Sequence, residues 1–277
     1  MTMTPTSTTV VLDPNRHVPG VRDPGFPDTL RAEWIKFWTV RSTMWSTAML
    51  FVLGAGLTAL VCGLAAKDIA SGAAGESAGS FVTWGMMFAQ ITAIVLGTLT
   101  VTSEYGTGMI RATLAATPRR GSVLAAKALV LTSTLFVVGT VTAFAGYFAG
   151  NWFLDNAGVG LALGDEGVLR ALFGSGLYLA GLGLFAAAVG LLLRHTAAAL
   201  SAVLALVFVV GNMAFLLPGS WGEWTAKLMP GNAGSPVAVP VPFNPGLLSP
   251  WTGFAVFAGE VAVLLTVALV VFRRRDA

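Results

Sequence analysis

The chain has 277 residues, of which 55% are hydrophobic and only 10% are charged. An ordinary soluble domain carries about a quarter charged residues, so this composition argues against a soluble globular protein and indicates a membrane protein. The single cysteine, Cys62, cannot form a disulfide framework or a thiolate metal site within one chain. Segments rich in Leu, Ala, Val and Gly without strict alternation favour helices over barrel strands, and we therefore expect an all-α polytopic membrane protein.

The N-terminal region divides into a tail and a short helix. Residues 1–27 are polar, contain five prolines and lack the features of a secretory signal peptide, so they predict a disordered cytoplasmic tail. Pro27 and Asp28 are typical of a helix start, since an aspartate carboxylate accepts hydrogen bonds from the first free amides. Residues 28–42 therefore predict an amphipathic interface helix, and the alternative is a simple extension of the first span.

The two faces of this interface helix differ in polarity. Glu33, Lys36 and Thr39 share one arc of the helix, which we expect to face water. The opposite arc is apolar and is expected to lie in the membrane interface, and besides Leu30 it carries Trp34, Ile35, Phe37 and Trp38.

Six later stretches are each long enough to cross a hydrocarbon layer of about 30 Å, which takes roughly 20 residues. Each of the first five stretches contains a long run without charged residues, and in the sixth stretch Glu260 interrupts the run. The predicted spans, which form one membrane domain over residues 43–277, are 44–66, 81–102, 123–150, 171–193, 196–217 and 251–272.

The placement of charge predicts the orientation. With a cytoplasmic N-terminus, thirteen of the sixteen cations lie in inner segments, and only Lys67, Arg170 and Lys227 lie outside. This asymmetry follows the positive-inside rule, so both termini are predicted to be cytoplasmic. The tryptophans agree, because none lies at the centre of a predicted span. We interpret the net charge of +3 as a topology signal and expect no nucleic-acid partner.

The outer segment 218–250 holds seven of the thirteen prolines and is too long for a tight turn. Residues Glu223 to Met229 could form a half-helix that dips back into the membrane, a geometry tolerated where protein covers the backbone. A structureless loop is the alternative, and the sequence does not decide between them.

The cytoplasmic loop of residues 103–121 carries the densest chemistry. Gly106 and Gly108 permit a sharp exit from the second span, residues 109–116 favour a helix, and Pro118 ends it. Met109 and Leu114 on such a helix would need a partner or lipid headgroups to cover them, which predicts a docking element. The alternative is that the loop cations, Arg111, Arg119 and Arg120, only bind lipid phosphates.

From residue 30 onward the chain resembles the type-2 family of ABC transporter permeases, in particular compact bacterial exporters with six spans. The similar segments are Glu33–Lys36, Val40–Trp45, Ser103–Tyr105, Thr107–Gly108, Ile110–Leu114, Pro118–Arg120, Ala126–Lys127, Pro230, Asn232–Gly234, Leu248–Trp251 and Arg273–Ala277. Gly106 and Met109 depart from the family pattern, which favours polar residues there.

The resemblance implies a permease domain in a bacterial cell membrane, paired with a second permease subunit, identical or different. It also implies that the 104–121 loop is a coupling helix seated on a separate ABC ATPase. We expect the ATPase-coupling residues to be Glu104, Thr107, Gly108, Met109, Arg111, Leu114, Pro118 and Arg119.

The sequence contains no GxxxxGK[ST] loop, so ATP and Mg²⁺ are expected on the partner and no cofactor on this chain. The alternative is a secondary transporter or channel that uses Glu260, since an ionisable residue within a span is costly and commonly functional. Glu260 could equally be structural, paired with Asn212, a hydroxyl or water.

We expect no enzymatic activity. The two histidines, His17 and His195, do not form a metal motif, and Lys67 and Lys127 have no evident partner for serine–lysine chemistry. His195 is interpreted as an inner-loop anchor beside Arg194. No charged lining is evident for a pathway, which favours an amphipathic drug, lipid or peptide as the cargo over a small ion.

Overall fold

The structure is a computed structural model that describes residues 25–116 and 120–275. Most of these residues are helical, and none of them forms a β-strand. The predicted tail of residues 1–27 lies almost entirely outside the described part. Five helices are long and apolar enough to cross a membrane, which makes the chain a multi-pass membrane protein; they are Arg41–Ala70, Ala78–Gly106, Gly121–Asn156, Val168–Leu193 and Pro250–Arg274.

We number the helices in chain order, treating short π-helical stretches as part of the helices that contain them. They are α1 (Phe26–Thr39), α2 (Arg41–Ala70), α3 (Ala78–Phe81), α4 (Met86–Gly106), α5 (Met109–Ala116), α6 (Arg120–Asn156), α7 (Val168–Leu193), α8 (Thr196–Val210), α9 (Ser220–Leu228), α10 (Pro230–Gly234) and α11 (Pro250–Arg275). Two 3₁₀ turns, Ala214–Leu216 and Ser235–Ala238, flank α9 and α10.

Helix α1 is a separate element and not an extension of the first span. The helix begins at Phe26, two residues before its predicted start, and Asp28 lies within its first turn, where the Oδ2 atom accepts a hydrogen bond of 2.9 Å from the backbone N–H of Gly25. Its end is set by Val40, whose extended backbone (φ −79°, ψ 120°) interrupts the helix before α2 begins. The break allows α1 and α2 to take different directions.

One residue of the predicted polar arc of α1, Glu33, does not face water, and for that residue the expectation was wrong. Glu33 is only 5% exposed and, with Thr29 and Phe37 one turn away on either side, forms the stripe that packs against α6. Thr39 of the polar arc is exposed, and so is Trp34 of the apolar arc. Glu33 is buried because it finds charged partners inside the protein.

Helix α7 forms the centre of the bundle, because it packs against α6, α4 and α11 and is largely buried along its length. Small residues allow the close contacts: a Cβ atom at Gly97 in α4 would collide with the carbonyl oxygen of Gly183 in α7. Most of the large buried side chains belong to these central helices, and the outer surfaces of α2, α6 and α11 remain apolar and exposed.

The fifth predicted span, 196–217, is represented by a shorter helix. Helix α8 ends at Val210 and covers about 22 Å, which is less than the roughly 30 Å of a hydrocarbon core. A turn at residues 211–213 and the Ala214–Leu216 3₁₀ turn follow. The six-span topology therefore remains a prediction, with α8 as its shortest member.

The segment after α8 is structured, so the structureless-loop alternative is wrong for residues 220–238. Helices α9 and α10 are followed by the Ser235–Ala238 turn, which packs between α7 and α11. Arg170 at the start of α7 fixes this return, donating hydrogen bonds of 2.9 Å to the carbonyl oxygen of Pro236 and 3.0 Å to that of Pro240. Buried backbone carbonyls thereby gain partners, as a chain segment packed inside a bundle requires.

Candidate functional site

Four charged side chains meet where α1, the end of α4 and the beginning of α6 come together. Lys36 Nζ lies 2.7 Å from Glu33 Oε1 and 2.6 Å from Glu104 Oε1. Lys127 Nζ lies 2.8 Å from Glu33 Oε2 and 2.8 Å from Glu104 Oε1. We call these four residues the charge quartet; its formal charges cancel.

The quartet is largely shielded from solvent. The side chains of Glu33, Glu104 and Lys127 are 6%, 2% and 7% exposed, and only Lys36, at 27%, reaches the surface. Water and salt weaken the attraction within such buried ion pairs only slightly. Each buried charge has lost its hydration, however, and only its charged partners compensate that loss. Glu104 Oε2 is buried without a hydrogen-bond partner among the described residues, which makes Glu104 the most dependent member.

The electrostatic balance at Lys36 favours the charged form. Burial by itself would lower the pKa of Lys36, but hydrogen bonds and charge attraction from Glu104 and Glu33 outweigh it and raise the pKa above its usual value. Lys36 is therefore an ammonium ion at neutral pH and bridges the two carboxylates at the exposed side of the quartet.

The quartet joins three elements that flank the 104–121 loop. Glu104 lies in the last turn of α4, five residues before α5 begins, and Lys127 lies two turns into α6. Through Glu33 and Lys36, helix α1 is ion-paired to both sides of the loop. A displacement of α5 that moved the ends of α4 and α6 apart would separate buried ion pairs.

Helix α5 itself has the predicted bounds and geometry. Gly108 takes a left-handed backbone conformation (φ 72°) that turns the chain out of α4, as a non-glycine residue would do only with strain. Thr107 closes the preceding turn with a 2.8 Å hydrogen bond to the carbonyl of Ser103. Met109 is 42% exposed, whereas Ile110 packs against the core. The helix therefore has one face on the bundle and Met109 on its exposed side.

The remaining predicted coupling residues are only partly described. Pro118 and Arg119 lie outside the described residues, and of Arg111 and Leu114 only the helical backbone position within α5 is described. Glu104 belongs to the same loop in sequence, but its side chain points into the quartet. Any part that it plays in coupling is therefore transmitted through Lys36 and Lys127.

Contacts between α4 and the α7–α8 junction brace the same end. The guanidinium of Arg194 lies 5.1 Å from the centre of the Tyr105 ring, within the range of a cation–π contact. The hydroxyls of Thr196 and Thr102 are hydrogen-bonded at 2.9 Å. His195 caps α8, since its Nδ1 atom accepts from the backbone N–H of Ala198.

Sequence reasoning missed the quartet. The ion pairs of Lys127 with Glu33 and Glu104 were not predicted. The available signals were the Glu33–Lys36 spacing of three residues and the opposite charges at the adjoining ends of two successive spans. Neither signal indicates that α1 folds back against α6, which is what brings the four side chains together.

Glu260, the other predicted functional residue, is half-buried in α11, far along the chain from the quartet. Its Oε2 atom is buried without a hydrogen-bond partner among the described residues. Asn212, its suggested partner, is exposed and donates its side-chain amide to the carbonyl of Phe208 at 2.8 Å. The suggested Glu260–Asn212 hydrogen bond is thus absent from the described contacts.

Across residues 25–116 and 120–275, no group of three or more His, Cys, Asp or Glu side chains is placed to hold a metal ion. No protein-family model matches the sequence, and a comparison with curated proteins found no match.

Proposed function

We propose that this chain is the permease subunit of an ATP-driven exporter, and that α5 is the element on which a separate ABC ATPase docks. The observation that carries the proposal is the position of α5. It is a short amphipathic helix between two long apolar helices, with Met109 exposed and with the charge quartet on its flank. Such a helix can receive a partner and pass its movement to α4, α6 and α1 together.

The distribution of cations supports a cytoplasmic position for α5. The α5 end contains the beginning of α2, the α7–α8 junction and the end of α11, whose Arg273 lies close to Gly121 at the start of α6. Basic residues concentrate at this end, whereas Lys67, Arg170 and Lys227 lie at the opposite one. By the positive-inside rule the α5 end faces the cytoplasm, where a soluble ATPase would meet it. The exposed Trp34 and Ile35 of α1 would then contact the headgroup layer.

The quartet suggests how the coupling works. If the ATPase moves α5, the ends of α4 and α6 must either move with it or break buried ion pairs, and breaking one costs about 3–5 kcal/mol. The three helices would therefore move as one unit. A second permease subunit, identical or different, would complete the pathway, and ATP and Mg²⁺ would be bound by the ATPase alone.

Co-purification in the presence of nucleotide tests the docking proposal. The chain is captured from its native membrane, and a bound ATPase is identified by mass spectrometry through its phosphate-binding loop sequence. Met109→Gln should reduce recovery of the ATPase at least fivefold. Met213→Gln is the matched control, because Met213 is similarly exposed (53%) but lies on the far side of the bundle. Equal recovery with both variants would refute docking at α5.

The alternative is a secondary transporter or channel that uses Glu260, and the buried, unpartnered Glu260 Oε2 atom favours it. A carboxyl group within a span commonly binds a proton or an ion. In proteoliposomes without nucleotide, this alternative predicts cargo or ion flux that Glu260→Gln abolishes. The exporter proposal predicts no such flux.

A further inference from the structure

A shallow groove of about 520 Å³ lies between the first part of α2 and the middle of α6, beside the end of α1. Its walls are Trp38 of α1, one side of α2 from Met44 to Val52, and a row of valines on α6 that includes Val137 and Val141. The one hydroxyl among these side chains, that of Thr47, already donates a 2.8 Å hydrogen bond to a carbonyl one turn earlier in α2. The groove is therefore an almost wholly apolar surface.

The groove closes toward the middle of the membrane. A Cβ atom at Gly54 of α2 would collide with Thr142 of α6, and a Cβ atom at Gly146 would lie 3.2 Å from the Cα atom of Ala55, so the two helices touch beyond residue 52. The open part spans about 12 Å along α2, which is most of the roughly 15 Å of hydrocarbon in one leaflet. A membrane-spanning helix of a second copy would continue past this closure, whereas an acyl chain from one leaflet would end at it.

A cation lies at the open end of the groove. Arg41 is the first residue of α2, and at 100° per residue it shares an arc of the helix with Met44, Ala48 and Val52. Side chains on a helix lean toward its N-terminus, so the guanidinium extends out of the hydrocarbon toward the lipid headgroups. Arg41 is exposed, and no acidic partner is described for it. The carboxylates of the charge quartet do not compensate it, because the quartet's own lysines already pair with them.

We propose that this groove is a binding site for an anionic phospholipid of the leaflet at the α5 end, with one acyl chain in the groove and the phosphate on Arg41. The planar guanidinium pairs with phosphate oxygens through two parallel hydrogen bonds, and its uncompensated charge favours a headgroup with net negative charge. Trp38 lies at the depth of the headgroups, where an amphipathic ring is favourable. The site involves only α1, α2 and α6 and does not depend on an ATPase.

Lipid binding to the groove can be counted on the full chain by native mass spectrometry. The chain is purified in detergent and titrated with phosphatidylglycerol, which is anionic, or with phosphatidylcholine of the same acyl chains, which is zwitterionic. We expect the first phosphatidylglycerol to bind about fivefold more tightly than the first phosphatidylcholine, as one cation near an anionic headgroup predicts. Inorganic phosphate should not displace it, because phosphate lacks the acyl chain that occupies the groove.

Two variants test the cation and the groove separately. Arg41→Gln should reduce the preference for phosphatidylglycerol to about one, whereas Arg274→Gln, which removes an exposed cation at the same end of the bundle but on α11, should leave it unchanged. Ala48→Phe fills the groove and should weaken the first site at least fivefold for both lipids. Ala258→Phe is the matched control on the exposed surface of α11 and should change neither.

A specific site and general lipid coating give different outcomes. A preference that Arg41→Gln and Arg274→Gln reduce equally, or no preference at all, would overturn the proposal. Equal lipid binding by Ala48→Phe and Ala258→Phe would also overturn it. A dimer of the chain that Ala48→Phe dissociates while lipid binding is unchanged would assign the groove to a second copy instead. Unchanged far-ultraviolet circular dichroism of each variant would ensure that lost binding reports the loss of the site.

Discussion

Replacing Lys127 by methionine gives a sharp test of the charge quartet, because methionine keeps most of the side-chain volume and removes only the charge. In the folded protein Lys127 is 7% exposed and lies 2.8 Å from both Glu33 and Glu104. Without it, two buried carboxylates share the single cation Lys36. Removing one partner from a buried ion pair costs about 3–5 kcal/mol. Since Lys36 still compensates one carboxylate, we expect a loss near the lower limit, about 3 kcal/mol.

The assay is unfolding by sodium dodecyl sulfate in mixed micelles, followed by tryptophan fluorescence. Lys67→Met is the matched control, since Lys67 is exposed and no ion pair is described for it, so its loss should change the unfolding free energy by less than about 0.5 kcal/mol. The double variant Lys127→Met/Glu33→Gln restores charge balance. It should be more stable than the sum of the single variants predicts, by at least about 1 kcal/mol. A Lys127→Met variant as stable as the Lys67→Met control would refute the reasoning.

Three further predictions concern α1, the glycines and pH. Asp28→Ala removes the hydrogen bond to the Gly25 N–H and should destabilise α1 by about 1 kcal/mol. Amide hydrogen exchange in α1 should then be roughly fivefold faster, while exchange in α7 stays the same. Unchanged exchange in α1 would contradict this prediction. Gly97→Ala should destabilise the bundle by about 1–3 kcal/mol, because the added Cβ would collide with Gly183. Gly56→Ala is the control and should be neutral or slightly stabilising, because its Cβ meets nothing within 4 Å. Equal effects of the two variants on the unfolding free energy would contradict the close helix contact. The pKa of Lys36 in the folded protein is raised above its usual 10.5. The contribution of Lys36 to the unfolding free energy is therefore fully present below pH 10.5 and is lost as the pH rises through the folded-state pKa. The unfolding free energy should therefore fall in this alkaline range, and a fall of the same size in Lys36→Met would assign it to another group.

The apolar helices were predictable because hydropathy depends only on the local sequence. The beginning of α7 was predicted at residue 171 and lies at Val168, and the beginning of α11 was predicted at residue 251 and lies at Pro250. The exit turn at Gly108 was also predictable, since glycine conformation is a local property, whereas α1 begins at Phe26, two residues before its predicted start.

The features that were missed depend on tertiary contacts. The burial of Glu33 was not predicted, because its partner Lys127 is distant in sequence. The end of α8 at Val210 was also not predicted, since Asn212 is the only polar side chain between Val210 and Leu217. Beyond Val210 the chain turns, and the returning segment packs beside α7, where Arg170 and buried carbonyls stabilise it.

The binding of a nucleotide-hydrolysing partner to α5 is tested most directly by site-specific cross-linking. Cysteine is introduced at Met109 in a Cys62→Ser background, with Met213→Cys as the similarly exposed control, and a thiol cross-linker of about 10 Å is added to native membranes. We predict that Met109→Cys, and not Met213→Cys, forms a covalent product containing an ABC ATPase. If Met109→Cys gave no such product while the reconstituted chain moved its cargo without nucleotide, docking of an ATPase at α5 would be contradicted.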